Sequence, residues 1–105
     1  MKKSDIKWKN GVVTAWDIDE LDLSKSVESQ IYLLKEDLMQ ARFGNGILLD
    51  LGWYPEFDPR GQFVLSVVKE QEWENPILQL KFREMSQFMQ NLNRAIKSAD
   101  GRALH

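Results

Sequence analysis

The residues of this chain whose types and spacing could do chemistry are paired carboxylates. Asp17 with Asp19, and Glu72 with Glu74, stand two residues apart, so in an extended segment each pair projects from one face. Such a pair can share a proton for general acid–base work or ligate Ca²⁺ or Mg²⁺. A dedicated cation site needs further oxygen ligands in a fixed loop pattern, which neither segment supplies. Solvated charge accounts for both pairs. His105, the one histidine, is the last residue, where a frayed terminus cannot hold an imidazole for proton transfer. One histidine and no cysteine leave no zinc cluster and no disulfide framework. Gly44-Asn45-Gly46 follows a predicted helix and precedes a predicted strand, the reverse of a phosphate loop, and reads as a helix stop with a tight turn. The expectation is a protein with no catalytic set, no cofactor and no metal.

Two loops combine aromatics with acids. One holds Trp53, Tyr54 and Phe57 with Glu56 and Asp58; the other holds Trp73 with Glu70, Glu72 and Glu74. Large aromatics ringed by charge match the anatomy of a protein-binding hot spot. The competing reading folds Trp53 and Trp73 back as lids over the ends of the core. Trp73 is flanked by Glu on both sides and is expected outside, whereas Trp53 follows an apolar strand and is expected half in the core. Asp17, Asp19 and Glu20 belong to a run with four acids in six residues, Asp17 to Asp22, too charged for a buried strand. Asp50 lies inside an apolar strand and either faces solvent on the wet side of a sheet or is buried and must find a donor. The wet face is the expected place. The candidate partner contacts are thus Asp17, Asp19, Glu20, Asp50, Tyr54, Glu56, Asp58, Glu70, Glu72, Trp73 and Glu74.

Charge balance narrows the partner. The net charge of −2 conceals a basic start, Lys2, Lys3, Lys7 and Lys9 against Asp5, ahead of a body with 10 basic and 15 acidic side chains. An acidic body does not suit a phosphate backbone, which needs clustered Lys and Arg, but it suits a basic protein. No apolar run follows the basic start as in a secretory signal, and no stretch nears the ~20 apolar residues of a membrane span. The expectation is a cytoplasmic protein with no nucleic-acid, membrane or small-molecule partner.

The elements that must position these groups read as an α+β fold in one domain, residues 1–105. Ile47–Leu51, Phe63–Val68 and Ile77–Phe82 are short apolar runs bounded by Gly, Pro and Asp, which predicts an antiparallel meander. Asp58-Pro59-Arg60-Gly61 fits a type I turn. Val12–Ile18 has strand character, and Asn10-Gly11 could close a hairpin with Ile6–Lys9. Val27, Ile31, Leu34, Leu38 and Ala41 recur at helical spacing, which predicts a helix over Ser24 to Phe43, with Ser24 as N-cap, Arg42 in the last turn and Gly44 as its left-handed stop. A second helix is predicted over Glu84 to Ser98, on Met85, Phe88, Met89, Leu92, Ala95 and Ile96. Residues after Asp100-Gly101 are expected to be loose. The whole is an antiparallel sheet of four or five strands with both amphipathic helices packed on one face.

The run Leu49-Asp50-Leu51-Gly52-Trp53-Tyr54-Pro55-Glu56-Phe57-Asp58-Pro59-Arg60-Gly61, then Trp73-Glu74-Asn75-Pro76-Ile77 and a C-terminal amphipathic helix, resembles small bacterial immunity proteins of polymorphic toxin systems. The likeness is to the contact-dependent growth inhibition (CdiI-type) group and covers about residues 46–98. It implies a non-enzymatic cytosolic protein that binds the C-terminal toxin domain of a delivered effector, often a nuclease, as a heterodimer. A nuclease carries a basic cleft for phosphate, and carboxylates can occupy it as mimics. Two other classes remain open on the same residues: an adaptor or regulatory protein that binds another basic partner, and a small enzyme using a carboxylate pair.

Overall fold

A computed structural model describes residues 1–70 and 72–103. Its frame is one five-stranded antiparallel sheet in which each strand pairs with the next in sequence: β1 (Val12–Trp16), β2 (Met39–Arg42), β3 (Ile47–Tyr54), β4 (Gln62–Lys69) and β5 (Leu78–Phe82). The β2–β3 and β3–β4 connections are short, as antiparallel neighbours allow, whereas β1 reaches β2 through a long wrap, residues 17–38. Asp58 to Gly61 makes such a turn, with the Gly61 N–H donating to the Asp58 carbonyl at 2.9 Å. Gly44–Gly46 makes another, a short 3₁₀ turn that puts Asn45 and Gly46 in the left-handed region.

Because side chains alternate across a strand, the register sorts them into two faces. One face stacks Met39, Leu51, Leu65 and Leu80 in one row, Ala41, Leu49, Val67 and Leu78 in the next, and Trp53, Phe63 and Phe82 in a third. Against it lies the helix α1 (Phe88–Ala103), which buries Phe88, Leu92, Ala95, Ile96 and Ala99 at helical spacing. Phe63 is the hub of the aromatic end of this core: Trp53 lies edge-on to it at 5.0 Å, Phe88 edge-on at 5.5 Å, and Phe82 stacks at 5.1 Å. Such pairs add ~0.5–1.5 kcal/mol each beyond the area they bury.

The same face is closed at its edge by the N-terminal segment. Ile6 joins the core, Trp8 packs edge-on to Trp16 at 6.0 Å, and Asn10 bonds the Asp100 carboxylate through both its backbone and its side-chain nitrogen. Gly11 closes a turn onto Trp8, so Asn10-Gly11 marks a turn as predicted, but no hairpin forms; the segment serves the helix instead of a strand.

The largest departure from expectation is residues 24–43, which form no α-helix. The segment runs through turns and a kinked 3₁₀ stretch, Glu28–Leu33, and ends in β2. Ser24 caps no helix; its N–H and hydroxyl both bond Asp22, and Ser29 does the same with Ser26. Ser and Asp compete for backbone groups in this way and weaken helices from within. Arg42 ends a strand, and Gly44 opens a turn rather than stopping a helix. The expected apolar positions Val27, Leu34, Leu38 and Ala41 are buried all the same, by a wrapping segment and a strand. Met39, Ala41 and Phe43 alternate with Gln40 and Arg42, a period-two pattern that the vacancy between β1 and β3 selected. Among the described residues one α-helix therefore covers the sheet where two were expected. It starts later and runs on past Asp100-Gly101 to Ala103, with a 3₁₀ turn, Met85–Gln87, ahead of it. His105 lies outside the described residues.

At Gly52 backbone approaches backbone closely. The chain at Lys35 to Leu38 crosses beside β3, with the Trp53 N–H donating to the Lys35 carbonyl at 2.8 Å and the Leu38 N–H to the Leu51 carbonyl at 3.0 Å. A Cβ at Gly52 would overlap the Glu36 carbonyl, which is backbone and cannot swing aside. Gly52→Ala should lower unfolding stability by ~3 kcal/mol or more, at or above the usual cost of overpacking. Gly101→Ala, where an added Cβ meets nothing within 4 Å inside α1, should instead raise it by ~0.5–1 kcal/mol. Urea unfolding of the two variants beside the parent checks both signs.

Candidate functional site

One end of the sheet, where β1 and β3 finish, gathers acids from three separate segments. Lys35 holds Asp17 at 2.8 Å, and its ammonium is raised by that hydrogen bond first and by the nearby charges of Asp17, Glu56 and Glu20 after it. Asp19 accepts from the Trp16 indole at 2.6 Å, and Glu56 accepts from the Glu36 backbone N–H at 3.4 Å. Asp17, Asp19, Glu20, Glu36, Asp37 and Glu56 are all exposed there. Beside them stand Tyr54 and Phe57, also exposed. Phe57 is held at φ 60°, with its N–H donating to the Leu34 carbonyl. That left-handed conformation costs an L residue ~1–2 kcal/mol, so the surrounding loop sustains it.

The geometry of this end comes from the wrap that connects β1 to β2. Gln30 is buried, and its amide accepts from the Asp22 N–H at 2.9 Å while donating to the Asp22 carbonyl at 2.7 Å. One side chain thus satisfies both backbone groups of a residue in a segment without regular pairing. The neighbouring loop is fastened from the other side by Arg83, whose guanidinium donates to the Pro59 and Gly61 carbonyls, reaches Glu28 at 3.5 Å and lies 5.5 Å from the Trp53 ring centroid.

The face of the sheet opposite α1 carries Asp50. A polar row crosses it: Gln40, Asp50, Ser66 and Gln79, with Gln40 donating to Asp50 at 3.3 Å and Gln79 to Ser66 at 3.2 Å. Asp50 is on the face expected, but half-buried. Burial pushes its carboxyl up, the Gln40 hydrogen bond lowers it in part, and the Asp37 charge adds to the rise. The Tyr54 phenol is raised by burial first, then by Asp50, Asp37 and Glu36. The face is not wholly wet. Leu48 and Val64 are half-covered, and Val68 is buried there, apart from the main core.

Trp73 lies at the far end of the sheet, between β4 and β5, 45% exposed and flanked by exposed Glu72 and Glu74. Glu70 sits at φ 56°, donates its N–H to the Gly46 carbonyl and packs on Gly46, so it is partly engaged by the β2–β3 turn. Asp58 is also committed: Arg60 donates to it from both backbone and side chain, holding its carboxyl below the usual range. Trp53 goes further inward than half-core. It is 0% exposed, and its indole N–H donates to the Asp58 carbonyl at 2.8 Å.

The expected contacts therefore divide. Asp17, Asp19, Glu20, Tyr54 and Glu56 share one end, Glu70, Glu72, Trp73 and Glu74 share the other, and Asp50 stands on the face between. At ~3.3 Å per residue the eight residues of β3 separate the ends by roughly 23 Å. Glu36 and Asp37 were missed as members of the first group because they fall inside the predicted helix. Their signal is the Glu-Asp pair just ahead of the Met39 to Phe43 alternation.

Among the described residues no group of three or more His, Cys, Asp or Glu is gathered closely enough to hold a metal ion. No helix among them is long and apolar enough to cross a membrane. Comparison with protein-family models, curated proteins and solved structures finds no significant match to the chain.

The raised Asp50 carboxyl has a defined consequence for stability. A carboxyl whose folded value lies above its unfolded value binds more protons when folded, so its contribution falls as pH rises through that window. At neutral pH the buried charge opposes folding. Asp50→Asn keeps an acceptor for Gln40 and removes the charge, so it should raise the melting temperature at pH 7. The gain should shrink as pH falls towards about 4, the unfolded carboxyl value. Thermal unfolding of both proteins from pH 7 to pH 4 tests the sign.

Proposed function

We propose that this protein is a cytosolic immunity protein that binds and neutralises a cognate toxin domain of the nuclease class in a contact-dependent growth inhibition system. The observation that carries the reading is the pair of aromatic–acidic clusters at the two ends of one sheet: Tyr54 and Phe57 among Asp17, Asp19, Glu20, Glu36, Asp37 and Glu56, and Trp73 among Glu70, Glu72 and Glu74. A standard interface covers ~800 Å² on each partner, an area about 28 Å across, so one basic partner can span both clusters and Asp50 between them. The protein acts by occupancy, one copy to one toxin domain, without catalysis or cofactor. Carboxylates steer it onto a cleft built to hold phosphate, and the exposed aromatics are desolvated as it docks.

Purification from the native host followed by identification of the bound protein tests the reading at its root. A toxin C-terminal domain supports it; a basic host protein in its place would make the chain an adaptor. With the partner in hand, the association rate should fall steeply as salt rises from low to physiological strength while the dissociation rate changes less. A rate indifferent to salt would reduce the acids to a solubility device.

Trp73→Ala should leave unfolding nearly unchanged and weaken binding by ~2 kcal/mol or more. Trp53→Ala should lower stability by ~3 kcal/mol, the cost of emptying a large aromatic site. Equilibrium unfolding and surface binding on both variants separate the two roles.

A further inference from the structure

We propose that β5 pairs with the β5 of a second copy of this chain, joining two sheets about a two-fold axis through Leu80. The two edges of the sheet are not equivalent. β1 is interrupted by a bulge between Val13 and Ala15, and Thr14 turns its hydroxyl onto the Gln40 carbonyl. A bulge blunts an edge against further pairing. β5 keeps unbroken register with β4 from Leu78 to Phe82, and among the described residues no strand pairs with its outer side. Its outward backbone groups therefore form a regular ladder with one side open. On the helix side, Leu78 and Leu80 at this margin are only half-buried, beside a fully covered Leu65 and Val67 one strand in.

The strand itself indicates the occupant. In an antiparallel pairing centred on Leu80, Leu80 meets its own copy, Leu78 meets Phe82 and Gln79 meets Lys81. The apolar residues then share one face and extend both cores, and the polar pairs share the other. Each Gln79 carbonyl can accept from the facing Lys81 ammonium, and no like charges stand opposite one another. Shifting the axis to Lys81 would set two ammonium groups face to face. An axis at Gln79 would set Ile77 against Lys81 and Pro76, which has no N–H to give, against Phe82, so the Leu80 register matches the segment to itself better, as an isologous contact requires.

The test is a charge placed across the axis. Gln79 is exposed, and its one side-chain bond, donated to Ser66 at 3.2 Å, can be donated by an ammonium as well, so Gln79→Lys should keep the parent's melting temperature while placing two like-charge pairs in the joined sheet. Sedimentation velocity over a concentration series should show a reversible dimer of the parent. The dimer's dissociation constant should rise roughly tenfold or more in Gln79→Lys. Adding Lys81→Glu to that variant restores opposite charges and should return the constant towards the parent value. A parent that stays monomeric up to millimolar concentration overturns the proposal, as does a dimer indifferent to Gln79→Lys. Should the parent be monomeric and Gln79→Lys instead weaken capture of a different protein, the edge accepts a foreign strand and the self-pairing is refuted. Toxin neutralisation is read separately, from binding of the toxin domain by the parent chain, so failure of self-pairing and failure of that reading are distinguishable.

Discussion

The indole of Trp53 is the interaction on which the rest of the molecule depends. It is fully buried at the end of β3, with Phe63 edge-on to its ring, Arg83 over its face and its N–H given to the Asp58 carbonyl. A buried indole must donate somewhere, and here it donates to the turn that reverses the chain into β4. The same ring lies so close to Gly61 that any Cβ there would meet it. Arg83 completes the enclosure by bonding the Pro59 and Gly61 carbonyls from the far end of β5. Core packing, the shape of the loop and the link to α1 therefore converge on one side chain.

That enclosure also explains why the exposed groups nearby are held in place. Tyr54 follows Trp53 and must point to the opposite face, because side chains alternate along a strand. Glu56 and Phe57 lie in the loop whose base Trp53 anchors, and Phe57 keeps a left-handed backbone because Leu34 accepts its N–H. Leu34 is itself fully buried. The other acids at this end are borne by the wrap from β1 to β2, which Gln30 ties to itself from within. A surface made of segments distant in sequence is kept rigid by polar bonds to backbone, not by regular pairing. Rigidity of that kind reduces the ordering cost of docking.

The two faces of the sheet have opposite characters for the same reason. α1 and the N-terminal segment cover one face, so its rows are apolar throughout. The other face has no such cover, and a polar row, Gln40, Asp50, Ser66 and Gln79, crosses its centre. Asp50 stands there at a cost, since half-burial opposes its charge and a neutral amide is its hydrogen-bond partner. A stabilising residue would not be a carboxylate. Its presence fits the proposed use of this face better than it fits the needs of the fold.

How much of this was legible in the residues alone differs from element to element. The meander, the turn at Asp58 to Gly61, the outward Trp73, the inward Trp53 and the face chosen by Asp50 all follow from local signals: alternation, turn chemistry and the polarity of immediate neighbours. α1 was legible too, because Phe88, Leu92, Ala95, Ile96 and Ala99 keep helical spacing without a competing period. Residues 24–43 were not. They carry helical spacing and strand alternation together, and local propensity cannot weigh the hydrogen bonds that β1 and β3 would lose without a strand between them. Pairing across the chain decided that β2 forms, and with it that Glu36 and Asp37 reach the surface beside Tyr54. The division of the acidic and aromatic residues between two ends of a sheet was likewise settled by register. Composition fixes how many carboxylates a chain carries, but only the order in which strands pair determines which of them stand together.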